Sequence, residues 1–383
     1  MPEAVLEIQA LTPLLFRDGR PFSAAEGAET HARGRALPPP GTLAGFVRTQ
    51  VGLDQKSGFT ARDLYFLRDI PVYGPLLVQE GEFLFPAPKD AVVYLDEGGR
   101  PQTMRLRPYS PPQGAGCNLP EGLLPLEVDR DVKPASGYAF WSAGEMEKWL
   151  LSEEVSPSRR PGPPEETRVH VAIDPETGKA LEGQLFSVAY RVLEERGSQG
   201  GVRALTLRAR VALPNGARPA PLGHLGGERR PAAVRVLEDL SRSWWDPPAR
   251  IREKFQQLDE AVARGEKARV RLILATPGLF RGGWKPGWLE AAGTGALHLP
   301  RGLSKVRLRL VAAAVGRREA ISGWSLRENR PKPVRWAVPA GSVYFFEVEQ
   351  GNPSHLLESW LRPVSDAERD RKDGFGLALW GVW

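Results

Sequence analysis

Apolar and polar positions alternate from Val5 to Leu11 in "VLEIQAL", the pattern of a half-buried strand. After a Gly/Ala/Glu-rich loop closed by Pro38–Pro40, Leu43, Phe46 and Val47 fall on one helical face. Thr42 is the expected N-cap of that helix. "PLLVQEGEFLFPAP" predicts a hairpin turning at Glu80-Gly81, and "AVVYL" a further strand. In "RVHVAIDPETGKALEGQLFSVAYRVL" two alternating stretches flank the turn residues "DPETG", predicting a β-hairpin over about 166–190 that runs on into the core. Strands are also predicted over Ala204–Leu213 and at "ARVRLILAT", "KVRLRLVAAAVG" and "GSVYFFEVE". Helices are predicted over about Ala232–Ser241 and at "SHLLESWL". Pro108–Pro125 and Ser156–Pro164, rich in Pro, Gly and Ser, read as surface insertions.

Strands with unevenly interspersed helices, twice over, indicate an α+β protein with two related sheet-and-helix domains. "ERGSQGG" marks the boundary, giving domains 1–197 and 198–383. The first carries insertions over about 100–165. The length of 383 residues, too great for one core to keep growing, agrees with two domains. No apolar run approaches the ~18 residues of a membrane span, and the start, with Glu3 and Glu7, does not read as a signal peptide. Cys117 is the single cysteine, so an internal disulfide is excluded and the expected compartment is the cytoplasm.

The net charge of +6 is unevenly spread: Arg301–Arg335 holds ten Lys or Arg against Glu319 and Glu328. An anionic partner accounts for such an excess; an Arg-, Pro- and Ala-rich composition by itself is the alternative. Phosphate-loop, HExxH and GxSxG motifs are lacking, and the five histidines are scattered, so no catalytic, metal or cofactor site is expected. His31, on a loop beside Arg33 and Arg35, is the one histidine placed to serve as a general base for RNA cleavage; a structural role is the alternative.

Basic and aromatic residues beside glycines carry more. In "FRDGRPF" two phenylalanines anchor a turn at Asp18-Gly19 that projects Arg17 and Arg20 from a rigid base, which lowers the entropy lost on binding an anion. An internal ion pair is the other reading of those arginines. "LGGERR" sets Arg229 and Arg230 beside backbone N–H groups that can converge on phosphate. "FRGGWKPGW" offers Arg281, Trp284 and Lys285, the mixture that stacks on unpaired bases, with Trp288 as core. Lys305, Arg307 and Arg309 form a row on one strand face, either a basic display or a solvated sheet surface. In "DGFGLALWG", Gly374 and Gly376 around Phe375 allow close backbone approach, to a ligand or to a tight packing turn.

Taken in order, "FRDGRPF", "LPPPGTLAGFVRT", "FPAPKD", "RVHVAIDPETGKALEGQLF", "LGGERR", "ILATPGLFRGGWKP", "AISGW", "RPKPVRWAVPAGSVYFF" and "GFGLALWG" resemble the RAMP superfamily of CRISPR effector proteins. Within it they resemble the family of the third subunit of the type III-B (Cmr) complex. The resemblance implies two ferredoxin-like (RRM-like) domains with antiparallel sheets and a glycine-rich loop near the C-terminus. It also implies a non-catalytic subunit that grips the 5′ handle of crRNA, docks on the large polymerase-palm subunit and contacts the adjacent backbone RAMP subunit. On this reading Arg17, Gly19, Arg20, His31, Arg33, Arg35, Thr42 and Arg48 meet RNA from the first domain. Arg229, Arg230, Arg281, Trp284, Lys285, Gly374, Phe375 and Gly376 meet it from the second, and the hairpin at Asp174–Gly178 serves as a thumb against the guide strand. The rival is a metal-independent ribonuclease maturing guide RNA.

Overall fold

A computed structural model describes residues 2–18, 31–53, 61–196, 201–214, 217–238, 244–296, 298–325 and 328–383. In chain order the elements begin with β1 (Glu3–Ala10), β2 (His31–Ala32), α1 (Pro40–Leu53), α2 (Ala61–Asp69) and β3 (Val72–Gln79). Then come β4 (Glu82–Pro86), β5 (Ala91–Leu95), β6 (Pro101–Arg105), β7 (Phe140–Ser142) and α3 (Ala143–Leu150). The middle of the chain forms β8 (Glu165–Ile173), β9 (Ala180–Arg191), β10 (Val202–Ala212), β11 (Leu222–His224) and β12 (Pro231–Leu237). Last are α4 (Ala249–Ala263), β13 (Arg269–Leu274), β14 (Arg307–Ala314), β15 (Trp324–Ser325), β16 (Arg330–Pro331), β17 (Val343–Gln350) and β18 (Ala378–Val382).

The chain is α+β, and its sheets are predominantly antiparallel. It forms two compact units, each assembled from three stretches: Met1–Gly81, Gly162–Glu238 and Ala320–Trp336, and then Glu82–Pro161, Asp239–Glu319 and Ala337–Trp383. A division at 197/198 does not coincide with them, because β10 returns to pair with β1, Leu6 opposite Ala209.

In the first unit the strands run β11-β12-β1-β10-β3. Counting β1, β3, β10 and β12 as strands 1 to 4, the spatial order is 4-1-3-2. Leu43 of α1 packs on β3 at Gly74. Glu7, central on β1, lies opposite Arg208 on one side and Arg235 on the other. Its carboxylate accepts from both guanidiniums, from Arg208 Nε at 3.0 Å and Arg235 Nε at 2.9 Å. Burial pushes the carboxyl up, but these two partners outweigh it and hold it below the usual range. A second sheet has the order β8-β9-β2, with β8 and β9 forming the expected hairpin. Asp174 Oδ1 accepts from Glu176 and Thr177 N–H, closing its turn. The strand β9 enters the core at Val188, Ala189 and Tyr190.

In the second unit the sheet is β14-β17-β13-β18. Numbered along the chain from β13, this is again 4-1-3-2. Trp141, Trp149, Trp360 and Trp380 fill its core. Arg271 of β13 is fully buried against Asp90, 2.6 Å away, and Asp90 also accepts from Trp149 Nε1 at 2.8 Å. Arg105 lies 3.4 Å over the Trp149 ring, its pKa lowered to about 9 by burial and by the nearby Arg271. Ser142 and Glu145 close a capping box on α3.

Three predicted elements differ. Residues 231–237 are strand, not helix: Val234 and Val236 are β-branched, and pairing with β1 overrides the helical preference of the two alanines. Helix α1 begins at Pro40, whose fixed φ suits the first helical position, so Thr42 is inside the first turn rather than the cap. Helix α4, burying Ile251 and Phe255 one turn apart, has no counterpart in the sequence reading. "SHLLESWL" forms a 3-10 turn over Pro353–Ser359.

Candidate nucleic-acid interface

Four segments of the first unit, remote in sequence, are stitched together by backbone hydrogen bonds. Leu14, Leu15 and Phe16 are buried and hold one end of the opening turn. Arg35 N–H donates to Phe16 O at 2.7 Å, and Asp18 N–H to Arg33 O at 3.2 Å, so 16–18 and 33–35 run antiparallel. Leu14 and Arg191 exchange backbone bonds of 2.9 and 2.8 Å. Gly227 N–H reaches Leu15 O at 2.9 Å, bringing in the "LGGERR" loop. The Arg191 guanidinium ties the arrangement from within, donating to Gly34 O, Arg35 O and the Glu165 carboxylate. Arg17, Arg33 and Arg229 are the exposed cations on these segments. Gly19, Arg20 and Phe22 lie outside the described residues.

The "LGGERR" loop owes its shape to unusual backbone. Gly226 has φ +83°, and a Cβ there would run into Leu15 O. Glu228 and Arg229 follow with φ 56° and 49°, left-handed values that cost a residue with a side chain about 1–2 kcal/mol each. The compensation is a network built on the buried Tyr190. Glu228 Oε2 accepts from Tyr190 OH at 2.6 Å and from Arg230 Nη2 at 2.8 Å. The Arg230 guanidinium sits 4.5 Å over the Tyr190 ring. Tyr190 OH is also 3.2 Å from His170 Nε2, and His170 stacks on Phe186 with centroids 5.3 Å apart. Burial pushes the Glu228 carboxyl up, but the bonds from Tyr190 and Arg230 outweigh it and leave its pKa lowered. Burial and the neighbouring carboxylate raise that of Tyr190. Arg230 is spent on this network, whereas Arg229 points out of it.

Other predicted residues have structural duties. Arg48 is buried, with Nε and Nη2 both on Ile70 O at 2.9 and 2.8 Å; it clamps α1 to the end of α2 and offers nothing at the surface. Arg35 Nη1 donates to Ala320 O at 3.1 Å. His31 Nδ1 bonds Ser187 Oγ at 2.7 Å, across the β2–β9 pairing.

In the second unit, Arg281 and Lys285 are exposed on a loop whose backbone is fixed by the Asp366 carboxylate, which accepts from Arg281 N–H at 2.7 Å and Gly287 N–H at 2.9 Å. Trp284 is half-buried and its carbonyl accepts from Tyr344 OH, while Trp288 is core. Gly374, Phe375 and Gly376 are buried, the arrangement of a tight packing turn. Thr276 Oγ1 donates to Gly374 O, Ser365 Oγ to Phe375 O and Gly376 N–H to Pro277 O, each at 2.8 Å. The basic row is likewise neutralised, Lys305 by Glu358, Arg307 by Glu349 and Arg309 by Glu347. Among the described residues no three His, Cys, Asp or Glu side chains gather as a metal site, and no helix is long and apolar enough to cross a membrane.

The pattern reading did not single out Tyr190, Arg191, His170 or Glu228. The alternation in "SVAYRV" marks Tyr190 as inward-facing, but nothing in one dimension reveals the partners of Arg191.

The family profile described as "CRISPR-associated protein (Cas_Cmr3)" matches residues 6–383. No curated protein matches the sequence. A chain from a cryo-EM structure of the type III-B Cmr-beta bound to cognate target RNA and AMPPnP is 17% identical with a TM-score of 0.47, over 89% of this chain and 86% of that one. One from the assembly bound to cognate target RNA is 16% identical, TM-score 0.46, with the same coverage. One from the Csm3-Csm4 subcomplex of a type III-A CRISPR-Cas interference complex is 10% identical, TM-score 0.36, over 91% and 94%.

Proposed function

The chain belongs to the Cas_Cmr3 family of CRISPR-associated proteins, the third-subunit family of the type III-B (Cmr) complex, and from that premise we propose that it is a non-catalytic crRNA-binding subunit of the cytoplasmic effector. It grips the 5′ handle of the guide and bridges the large polymerase-palm subunit to the adjacent backbone RAMP subunit. Each unit is a ferredoxin-like domain. Supporting this, both have antiparallel strands in the order 4-1-3-2, and α1 and α2 lie between strands 1 and 2 of the first.

The observation that carries the RNA reading is the set of exposed guanidiniums, Arg17, Arg33 and Arg229, on segments hydrogen-bonded to one another. Arginine binds phosphate bidentately, and a rigid base reduces the entropy lost on binding. Arg281 and Lys285 supply further phosphate contacts from the second unit, and the hairpin tip at Asp174–Gly178 bears on the guide strand where the handle ends. No bond is made or broken; His31 serves as a tie between strands.

The test is a filter-binding titration of handle-bearing guide RNA against the full chain. Replacing Arg17 and Arg33 together by Ala should lower affinity roughly tenfold or more and reduce the slope of log affinity against log salt by about two. The melting temperature should stay within about 2 °C. Full RNA affinity in that variant refutes the reading, as does cleavage of repeat RNA in EDTA that His31→Ala abolishes.

A further inference from the structure

The basic stretch ending at Arg335 contains an arm that the handle-binding reading does not use. β15 and β16 pair with Trp324 opposite Pro331. Lys332 anchors the arm, its N–H donating to Gly323 O and its carbonyl accepting from Ser322 Oγ, both at 2.7 Å. Trp324 is 54% exposed and Trp336 53%. The other nine tryptophans are buried or half-buried. Leaving an indole in water forgoes a large apolar gain, and two such exposures within thirteen positions of one arm indicate a surface made for something else.

The charges between them say what that is. Arg330 and Arg335 are exposed and Lys332 half-buried, spaced at two and three residues; Arg330 pairs with Glu328 at 2.8 Å, an exposed contact that costs little to exchange for a phosphate. Pro331 and Pro333 hold the intervening backbone extended, so little conformational freedom remains to be lost. A protein-binding patch is enriched in aromatic residues and arginine but depleted of lysine. Here two aromatic faces bracket these three cations, one of them a lysine, which suits the bases and phosphates of an unpaired strand.

We propose that Trp324 and Trp336, with Arg330, Lys332 and Arg335, form a second RNA surface that takes unpaired RNA without sequence preference, the indoles stacking on bases and the cations neutralising phosphates. This rests on the reading of the chain as an RNA-binding subunit, but the ligand is a single strand rather than the handle. The arm would hold such a strand beside the assembly while the handle is gripped elsewhere.

The experiment uses the full chain and two probes, a short unstructured oligouridylate and the handle-bearing guide. Trp324→Ala with Trp336→Ala should weaken oligouridylate binding roughly tenfold or more with the salt dependence unchanged, since stacking carries no counterion release. Trp324→Phe with Trp336→Phe should recover most of it, and guide affinity should fall by less than about threefold. In parallel, oligouridylate containing 4-thiouridine should crosslink within 324–336 of the unaltered chain, a readout that needs no variant to fold. Absence of that crosslink overturns the proposal. So does oligouridylate affinity that survives both alanines, the result expected of a protein-docking patch. If the unaltered chain binds guide but not oligouridylate, the arm fails and the handle reading stands. Crosslinking at the arm without preference for handle-bearing guide supports the arm and sinks the handle reading.

Discussion

Two loops occupy the same topological position, immediately before the fourth strand of a 4-1-3-2 sheet: Leu225–Arg230 ahead of β12 and Asp373–Gly376 ahead of β18. Both bend through left-handed backbone, at Gly226, Glu228 and Arg229 in one and at Gly374 and Gly376 in the other. Their polar groups go opposite ways. Around Asp373–Gly376, hydroxyls from Thr276 and Ser365 and the carbonyl of Pro277 use up the exposed backbone valences, and Phe375 seals the loop. Around Leu225–Arg230, one carboxylate absorbs a phenol and one guanidinium, and the second guanidinium is left outside. The same bend therefore serves as a plug in one unit and a presenter in the other. What decides is whether the surrounding donors satisfy every group of the loop or stop one short.

The plug should be the more fragile. Gly376 has φ +78°, and a Cβ there would lie 2.9 Å from Ser365 Oγ, a buried hydroxyl fixed between two backbone groups. Gly376→Ala combines left-handed strain with displacement of a packed neighbour, for an expected loss of about 2–3 kcal/mol by denaturant unfolding. RNA affinity of the fraction that folds should be unaltered. A stable Gly376→Ala variant with impaired RNA binding would reverse the assignment of the two loops.

The presenter depends on fewer contacts, and its network should respond to acid. Glu228 is held below the usual carboxylate range, so the folded form favours its ionised state. That contribution is complete above the ordinary glutamate pKa and is lost as the pH falls through the depressed value. Tyr190→Phe removes the phenolic donor while keeping the ring under Arg230. It should cost about 1 kcal/mol near neutral pH and less in acid, flattening the acid limb of the stability profile. An unchanged limb would mean that the network does not hold the loop.

This difference between the loops explains how much of the molecule was legible beforehand. The hairpin with its "DPETG" turn, the helix through Leu43, Phe46 and Val47, and three of the four strands of the second unit's sheet, β13, β14 and β17, are local in origin, and their periodicity is visible in one dimension. The strand Pro231–Leu237 was not, because its pairing with β1 is set by residues more than two hundred positions away. "LGGERR" and "DGFG" read alike as glycine beside charge or ring. Only the fold distinguishes them, through Tyr190 on one side and Thr276 and Ser365 on the other. Arg48 misled for the same reason: its carbonyl partner, Ile70, belongs to another element.

The finest division falls between adjacent arginines. Arg230 donates to Glu228, covers Tyr190 and is mostly buried, so Arg230→Ala leaves a carboxylate short of a partner and exposes a ring. It should lower stability and, by releasing Glu228, loosen the loop that carries its neighbour. Arg229 bears only left-handed strain that alanine would share, so Arg229→Ala should leave the melting temperature within about 1 °C. Its cost should appear in RNA alone, as a loss of roughly threefold to tenfold in handle affinity and a salt slope shallower by about one. Arg229→Gly separates backbone from charge: glycine relieves the strain, so this variant should gain slightly in stability while losing the same RNA affinity. If Arg229→Gly instead kept full affinity, the left-handed turn would be presenting backbone N–H groups rather than the guanidinium, and the ligand would be held by the loop itself.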